Sequence, residues 1–166
     1  IRADQLAQTY VEDNSFAISD DFAEEQEISP YFDAEYSMFS EVLSVTKDDI
    51  LSYAVHTYNY YGGAHGLALT EYFNLNLSTG EQLTFEGLLG SVSEEQLSQQ
   101  LATALTEQSG QSREELESRG YDFESIRAHN NFFLTDDSIF FYFNPYDIAP
   151  YGEGGNTIAL PIQQPF

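Results

Sequence analysis

Regular alternation of apolar and polar side chains in the first half of the chain restricts the fold most strongly. Leu51, Tyr53 and Val55 alternate with more polar residues in the segment 50–60, and Leu69, Phe73, Leu75 and Leu77 share one face of the segment 69–77. Gly62-Gly63 separates the two segments. A period of two places successive side chains on opposite faces of a β-strand. Residues 31–45 show the same alternation and precede the first of these segments. The sequence therefore predicts three consecutive antiparallel strands joined as a meander.

Helix-start signals follow in the second half of the chain. Ser93 with Gln96, and Ser112 with Glu115, have the spacing of a capping box, in which two side chains satisfy backbone N–H groups at a helix start. Gly120 predicts a left-handed cap at the end of the second of these helices, because glycine adopts positive φ without strain. A further helix is predicted over residues 3–11, ahead of an acidic crossing over residues 12–27.

The C-terminal part predicts a β-hairpin and one last strand. Residues 131–134 and 139–143 flank turn residues, and residues 157–162 follow a glycine-rich loop. Pro161 places the last strand at a sheet edge, because proline cannot donate to a strand ladder. The fold class is therefore α+β, with a mixed, largely antiparallel sheet and two or three helices packed on one face. Residues 1–166 are expected to form a single globular unit.

The charge excludes one large class of partners. Five Lys and Arg residues against 28 Asp and Glu residues give a net charge of −23, so nucleic acid and anionic membrane surfaces repel the chain. A hydrophobic fraction of 42% and an aromatic fraction of 15% indicate a folded domain rather than disorder. A basic partner would be attracted, at a rate that salt reduces.

Catalytic, metal and cofactor motifs are not evident in the sequence. The chain has no cysteine, its three histidines do not have the spacing of a zinc site, and no G-x-S-x-G motif occurs. We therefore predict no metal, no cofactor and no catalytic residue. His56 is interpreted as a cross-strand residue and His129 as an ordinary turn residue. No apolar run is long enough to cross a membrane, and any targeting segment is expected to have been removed before Ile1.

Two segments rich in aromatic residues and glycine are the candidate binding motifs. Residues 58–66 combine tyrosines with three glycines and a histidine, and residues 140–152 combine aromatic residues with prolines. Tyrosine offers a flat amphipathic face to a sugar or a protein, and glycine permits close backbone approach. Alternatively, the first segment is a tight strand connection and the second packs in the core. The candidate residues are Tyr58, Tyr60, Tyr61, Gly62, Gly63, His65, Tyr146 and Tyr151.

Three motifs carry a resemblance to a known family. Residues 58–66 resemble a YxYxGGAHG-type motif, residues 79–89 a tGxxltfxdLf-like stretch, and residues 146–152 a yxiAPYaxG-like motif. Together they are similar to the domain-of-unknown-function family 3298, from about residue 50 to the C-terminus. Residues 1–49 resemble the end of a preceding family 4163 region, whose opening strands are expected to be missing.

The resemblance implies a place at the bacterial cell envelope. Members of this family are exported or membrane-anchored, and include a lysozyme-sensing anti-sigma factor and the non-catalytic region of a peptidoglycan deacetylase. It thus implies a non-catalytic, extracytoplasmic recognition or accessory domain, within a full-length protein that is membrane-anchored or secreted. The implied partner is a basic protein such as lysozyme, or a peptidoglycan fragment.

Two other functions stay open at the level of sequence. The first is a hydrolase of cell-wall glycan that uses His65 as general base with a nearby carboxylate, either Glu71 or Asp147. The second is a structural accessory domain of a larger enzyme or anchor.

Overall fold

The computed structural model describes residues 34–89 and 93–162. The helix predicted over residues 3–11 and the acidic crossing after it lie outside these residues. Residues from Ala34 onward belong to one compact unit. The family boundary predicted between residues 49 and 50 falls inside this unit and stays a prediction.

The predicted meander forms the first sheet, sheet A. It consists of β1 (Glu35–Val45), β2 (Ile50–Tyr60) and β3 (Leu67–Asn76), all antiparallel and in the order β1-β2-β3. Asp49 takes the positive φ of 58° that closes the turn between the first two strands. The register shifts between Val42 and Ser44, where β1 carries a bulge.

The C-terminal strands form a second, separate sheet, sheet B. It contains β4 (Phe132–Leu134), β5 (Ser138–Phe143) and β6 (Asn156–Pro161), again antiparallel and in sequence order. The hairpin predicted from the sequence is confirmed. Pro161 lies on an edge strand, as its missing N–H requires.

Three helices connect the two sheets: α1 (Phe85–Leu89), α2 (Glu94–Ser109) and α3 (Arg113–Ser118). Ser93 accepts a hydrogen bond from the N–H of Gln96 at the start of α2. Ser112 and Glu115 form the predicted capping box at the start of α3. The short helix α1 was not predicted, because five residues carry too little periodicity to reveal one.

The hydrophobic core lies between α2, α3 and sheet B. Apolar side chains of α2 pack against the aromatic strands of this sheet, and the predicted α+β class is confirmed. The strands are divided between two three-stranded sheets instead of forming one mixed sheet. The largest fully buried apolar side chains are Leu101, Leu116, Ile126, Phe132, Leu134, Phe141, Phe143, Ile148 and Ile158.

Sheet A faces sheet B with polar side chains. The Ser52 hydroxyl donates to Asn74 Oδ1 over 2.6 Å and accepts the N–H of Leu134 over 3.0 Å. Asn74 Nδ2 donates to the carbonyl oxygen of Phe132 over 2.8 Å. Both polar residues are fully buried, and each has the partners that burial demands.

Two more asparagines bind the outer edge of β3. The Asn131 side chain accepts the N–H of Tyr72 and donates to the carbonyl of Thr70, and the Asn144 side chain accepts the N–H of Thr70. These amides take the place of a neighbouring strand along this edge. β3, which follows the turn at residues 61–66, is thereby fixed against sheet B.

Candidate functional site

The two aromatic motifs meet in space, although about eighty residues separate them. The His65 ring stacks on the Tyr151 ring with 3.8 Å between centroids and 14° between planes. The Tyr151 hydroxyl donates to the carbonyl oxygen of Gly66 over 2.9 Å. Tyr146 lies beside Tyr151, with 5.6 Å between ring centroids. We call His65, Tyr146 and Tyr151 the aromatic surface.

The turn that presents His65 depends on its glycines. Gly62 and Gly63 have φ values of 92° and 104°, which a residue with a side chain rarely adopts. The Tyr60 hydroxyl closes the turn by donating to the carbonyl of Gly63 over 3.1 Å. A Cβ at Gly66 would lie 2.3 Å from the Tyr58 ring, so glycine lets this ring pack on the backbone.

A second turn presents Tyr146. Its φ of 77° is unusual for a tyrosine and turns the side chain outward, where 60% of it is exposed. The N–H of Tyr146 donates to the carbonyl of Ala149, and the Asp147 carboxylate accepts the N–H of Asn144 over 2.6 Å. These hydrogen bonds hold the backbone of the turn, so the exposed ring extends from a defined backbone position.

A groove of about 480 Å³ runs beside the aromatic surface. Tyr142, Pro145 and Tyr151 give it an apolar wall, and residues 152–155 give it exposed backbone. Glu153 in this stretch is paired with Arg119 at the end of α3. The adjacent Gly120 has the predicted positive φ, 95°, and a Cβ there would meet Pro150 at 2.7 Å.

The structure separates the eight candidate residues by role. His65, Tyr146 and Tyr151 come together, whereas Tyr58 and Tyr60 pack on or bond to the backbone of the turn. Gly62 and Gly63 supply the backbone conformation. Tyr61 opens the turn with 72% of its side chain exposed. The alternative of a tight strand connection thus describes the backbone of residues 58–63, while Tyr61 and the aromatic surface provide the side chains that face solvent.

A polar cleft of about 740 Å³ was not foreseen from the sequence. It lies between β3 and the segment before β4, and its acidic, basic and histidine lining residues are Glu71, Glu124, Arg127, His129 and Asp147. Glu71, Asp147 and the segment 124–129 are distant from one another in sequence and share no motif. Only the pairing of the two sheets brings them together.

His129 is not the ordinary turn residue that the sequence suggested. Its Nδ1 accepts the N–H of Asn131 over 3.1 Å, and its ring lies edge-on to Phe143 with 4.7 Å between centroids. Nε2 is buried and has no hydrogen-bond partner among the described residues. Burial disfavours the charged imidazolium and lowers the pKa of His129, and the Asp147 charge only partly opposes this.

The structure places the carboxylates of the hydrolase hypothesis away from His65. His65 Nδ1 donates to the carbonyl of Gly66 over 3.0 Å, and one face of its ring is covered by Tyr151. Glu71 and Asp147 line the polar cleft with His129 instead. Within residues 34–89 and 93–162, His65 forms no hydrogen bond or ion pair with either carboxylate.

The described part of the chain offers neither a cluster of metal ligands nor a helix that could cross a membrane. It contains no cluster of three or more His, Asp or Glu side chains that could hold a metal ion. None of its helices has the length and apolar character needed to cross a membrane.

The fold and the site define a small α+β domain with two antiparallel sheets and an exposed aromatic surface. Residues 85–163 match the family described as "Protein of unknown function (DUF3298)". The predicted family is thus confirmed, while the motif at residues 58–66 precedes the matched residues.

Two solved structures share this fold. A DUF3298 family member from Bacteroides fragilis has a TM-score of 0.78 and 28% identity, over 97% of this chain and 67% of the other. A DUF3298 family protein from Pseudomonas aeruginosa has a TM-score of 0.62 and 16% identity, over 77% of this chain and 58% of the other. The second likeness shows the fold alone.

One curated relative carries the name of an enzyme. An esterase from Mycobacterium tuberculosis is 33% identical over 103 residues, which is 60% of this chain and 44% of the esterase. The chain therefore spans less than half of that relative. The likeness to a lysozyme-sensing anti-sigma factor and to a deacetylase region stays a prediction.

Proposed function

We propose that this domain is a non-catalytic recognition module of the bacterial cell envelope that binds a basic protein outside the cytoplasm. Convergence of His65, Tyr146 and Tyr151 on one exposed surface is the observation that carries the proposal. Two separate motifs with fixed backbones supply these rings. Rigid, amphipathic aromatic groups are the side chains that most often anchor a protein interface.

Charge favours a basic protein over other partners. The chain carries a net charge of −23, and Asp147 is exposed directly beside Tyr146. Complementary charge accelerates the encounter with a cationic protein, while the aromatic rings make the short-range contacts. A lysozyme-like protein has the required chemistry.

The geometry of the histidines supports a non-catalytic role. A general base must present a free ring nitrogen to the proton that it abstracts. His129 uses Nδ1 on the N–H of Asn131, and its Nε2 is buried. His65 stacks on Tyr151 without a carboxylate to orient it among its described hydrogen bonds.

Isothermal titration with hen-type lysozyme tests the proposal. We expect binding that weakens as salt rises, and a loss of at least tenfold in affinity for Tyr146→Ala. Leu77→Ala is the matched control, because Leu77 is exposed at the opposite end of β3 from the turn. No heat at millimolar lysozyme, or equal losses in the two variants, would contradict it.

A parallel titration with muropeptides separates a glycan ligand from a protein ligand. Stacking of the same tyrosines on sugar rings would give binding that salt barely changes, because an uncharged glycan face gains little from carboxylates. Binding of muropeptides without binding of lysozyme would replace the basic protein by a peptidoglycan fragment.

Ester hydrolysis is a second candidate function, favoured by the likeness to the mycobacterial esterase. Its residues would be those of the polar cleft, where Ser125 and His129 both contribute to the lining. The Ser125 hydroxyl, however, donates to the Asp122 carboxylate over 2.6 Å. Hydrolysis of p-nitrophenyl acetate that Ser125→Ala and His129→Ala both abolish would establish this function; we expect no enzymatic turnover.

A further inference from the structure

We propose that β1 is a docking edge, to which an extended segment of a partner protein with alternating apolar and basic residues adds as a fourth strand of sheet A. This inference concerns other residues than the aromatic surface and does not rest on the proposed function.

The two edges of sheet A are treated differently. The edge at β3 is occupied by the side-chain amides of Asn131 and Asn144. The edge at β1 has β2 on one side and, among the described residues, no strand or amide on the other. An edge strand with unpaired N–H and C=O groups is a template for another strand.

β1 also lacks most of the features that protect such an edge. It runs for 11 residues, Glu35–Val45, or roughly 36 Å at the usual rise per residue. It contains no proline, lysine or arginine, and its bulge comes late, between Val42 and Ser44. The segment before the bulge, residues 35–42, is long enough to pair with a strand of seven or more residues. This exceeds the usual strand length of about five residues.

The outer face of β1 selects apolar side chains in the partner. Tyr36, Met38 and Val42 share this face and are 51%, 38% and 66% exposed. On β2 and β3 the same face continues with Tyr53 and Phe73, whose rings stack at 5.1 Å. An added strand would extend this face and cover apolar surface that is otherwise open to water.

The inner face of β1 selects basic side chains. Glu35 and Glu41 lie on this face, and Glu41 accepts a hydrogen bond from His56 Nε2 over 3.1 Å. Opposite charges across neighbouring strands stabilise a pair, and like charges destabilise it. A second copy of this chain would bring further carboxylates and a charge of −23 to the same edge, so charge favours a cationic partner.

The edge is held in place before a partner arrives. The His56–Glu41 contact ties β1 to β2, and the Ser44 hydroxyl donates to the carbonyl of Leu134 in sheet B. The Phe39 ring stacks on His56 with 4.6 Å between centroids. A fixed edge saves the ordering entropy that a flexible one would lose on binding.

Hydrogen exchange with two soluble ten-residue peptides tests the inference. One alternates valine with lysine and the other alternates valine with glutamate. We expect the lysine peptide to slow hydrogen exchange at least fivefold at the β1 amides that point away from β2. The glutamate peptide should leave their exchange rates unchanged. Equal protection by both peptides, or protection by neither, would overturn the proposal.

Two variants and one control define the contact. Val42→Lys and, independently, Tyr36→Lys should weaken the valine–lysine peptide at least tenfold, because each places a positive charge on the apolar face. Leu77→Lys makes the same change at another exposed position and should bind normally. Sedimentation of the chain alone is expected to show a monomer; a dimer with protected β1 amides would identify the occupant as a second copy instead and overturn the proposal.

Discussion

At the scale of single residues, the aromatic site is shaped by rings that fill space left by glycine. The Tyr58 ring occupies the position of a Cβ at Gly66, and the Tyr142 hydroxyl does the same at Gly155. Both glycines lie beside the aromatic surface, since the Gly66 carbonyl accepts the Tyr151 hydroxyl and Gly155 lines the adjacent groove. Packing beside the exposed rings therefore depends on glycine at both positions.

Replacement of Gly66 tests this dependence. Gly66→Ala should lower the free energy of unfolding by about 1–3 kcal/mol, because the Tyr58 ring must move to admit the new methyl group. Gly152→Ala is the matched control, since nothing lies within 4 Å of a Cβ there, and a change within about 0.5 kcal/mol is expected. Urea denaturation measures both, and equal effects would contradict the packing.

His129 makes stability depend on pH. Its pKa is lowered in the folded state by burial, so the unfolded chain binds the proton more readily. Stability from this residue is full above the unfolded pKa of about 6.5 and is lost as the pH falls below it. His129→Phe should therefore lose less stability than the natural chain between pH 7.5 and pH 5.5, as measured by urea denaturation.

The outcome for His129→Phe concerns the pH dependence and not the absolute stability. Loss of Nδ1 removes the acceptor of the Asn131 N–H and lowers stability at every pH. An unchanged difference between the two proteins from pH 7.5 to pH 5.5 would show that His129 is not protected from protonation.

The histidines show what sequence can and cannot reveal about single residues. His56 was correctly interpreted as a cross-strand residue, because alternation determines its face and its neighbours Glu41 and Thr70 follow from the strand pairing. His129 was misjudged, because its burial depends on Phe141 and Phe143, which reach it through strand pairing. Local pattern carries no information on such long-range contacts.

At the scale of elements, side-chain amides join the two sheets in place of the backbone hydrogen bonds that pair neighbouring strands in one continuous sheet. Asn74, Asn131 and Asn144 each bond backbone groups of the opposite sheet. These contacts fix β3, which follows the turn at residues 61–66, against β5, which leads into residues 144–152. The junction of the sheets thus sets the distance between the two motifs.

Truncation of Asn74 should be costly. Asn74→Ala leaves the Phe132 carbonyl without its donor and the Ser52 hydroxyl without its acceptor in a buried site. We expect a loss of about 2–4 kcal/mol, as measured by thermal and urea denaturation. Asn59→Ala, on the half-exposed outer face of β2, is the control and should change stability by less than about 0.5 kcal/mol.

Most elements were predictable because they rest on local signals. The bounds of β2 match the predicted residues 50–60, and the caps at Ser93 and Ser112 begin helices as expected. The division into two sheets was not predictable. Strand periodicity gives the faces of a strand but leaves open which strands become neighbours. In this fold, asparagine side chains join the two sheets where no strand pairing does.

At the scale of the whole molecule, the strong negative charge acts on the choice of partner. The chain has 28 acidic residues against five basic ones. Long-range attraction therefore favours cationic proteins, and repulsion between copies of the chain disfavours self-association. The domain class and the family followed from sequence. The contact between His65 and Tyr151 could not be predicted from the sequence. His65 lies between β2 and β3 of sheet A, and Tyr151 lies between β5 and β6 of sheet B.

Salt separates the contribution of charge from that of the aromatic rings. Binding to lysozyme should weaken by at least tenfold between low and high salt, because mobile ions screen the attraction between exposed charges. The remaining affinity at high salt should be the part that Tyr146→Ala removes. An affinity independent of salt would show that the carboxylates make no contribution.

The central claim is that the two motifs act as one recognition surface. Titration of the isotope-labelled chain with lysozyme, followed by amide NMR spectra, tests it most directly. We predict shifts at residues 61–66 and 146–152 together, with the same titration midpoint. Shifts confined to the residues of the polar cleft, or shifts at one motif without the other, would contradict it.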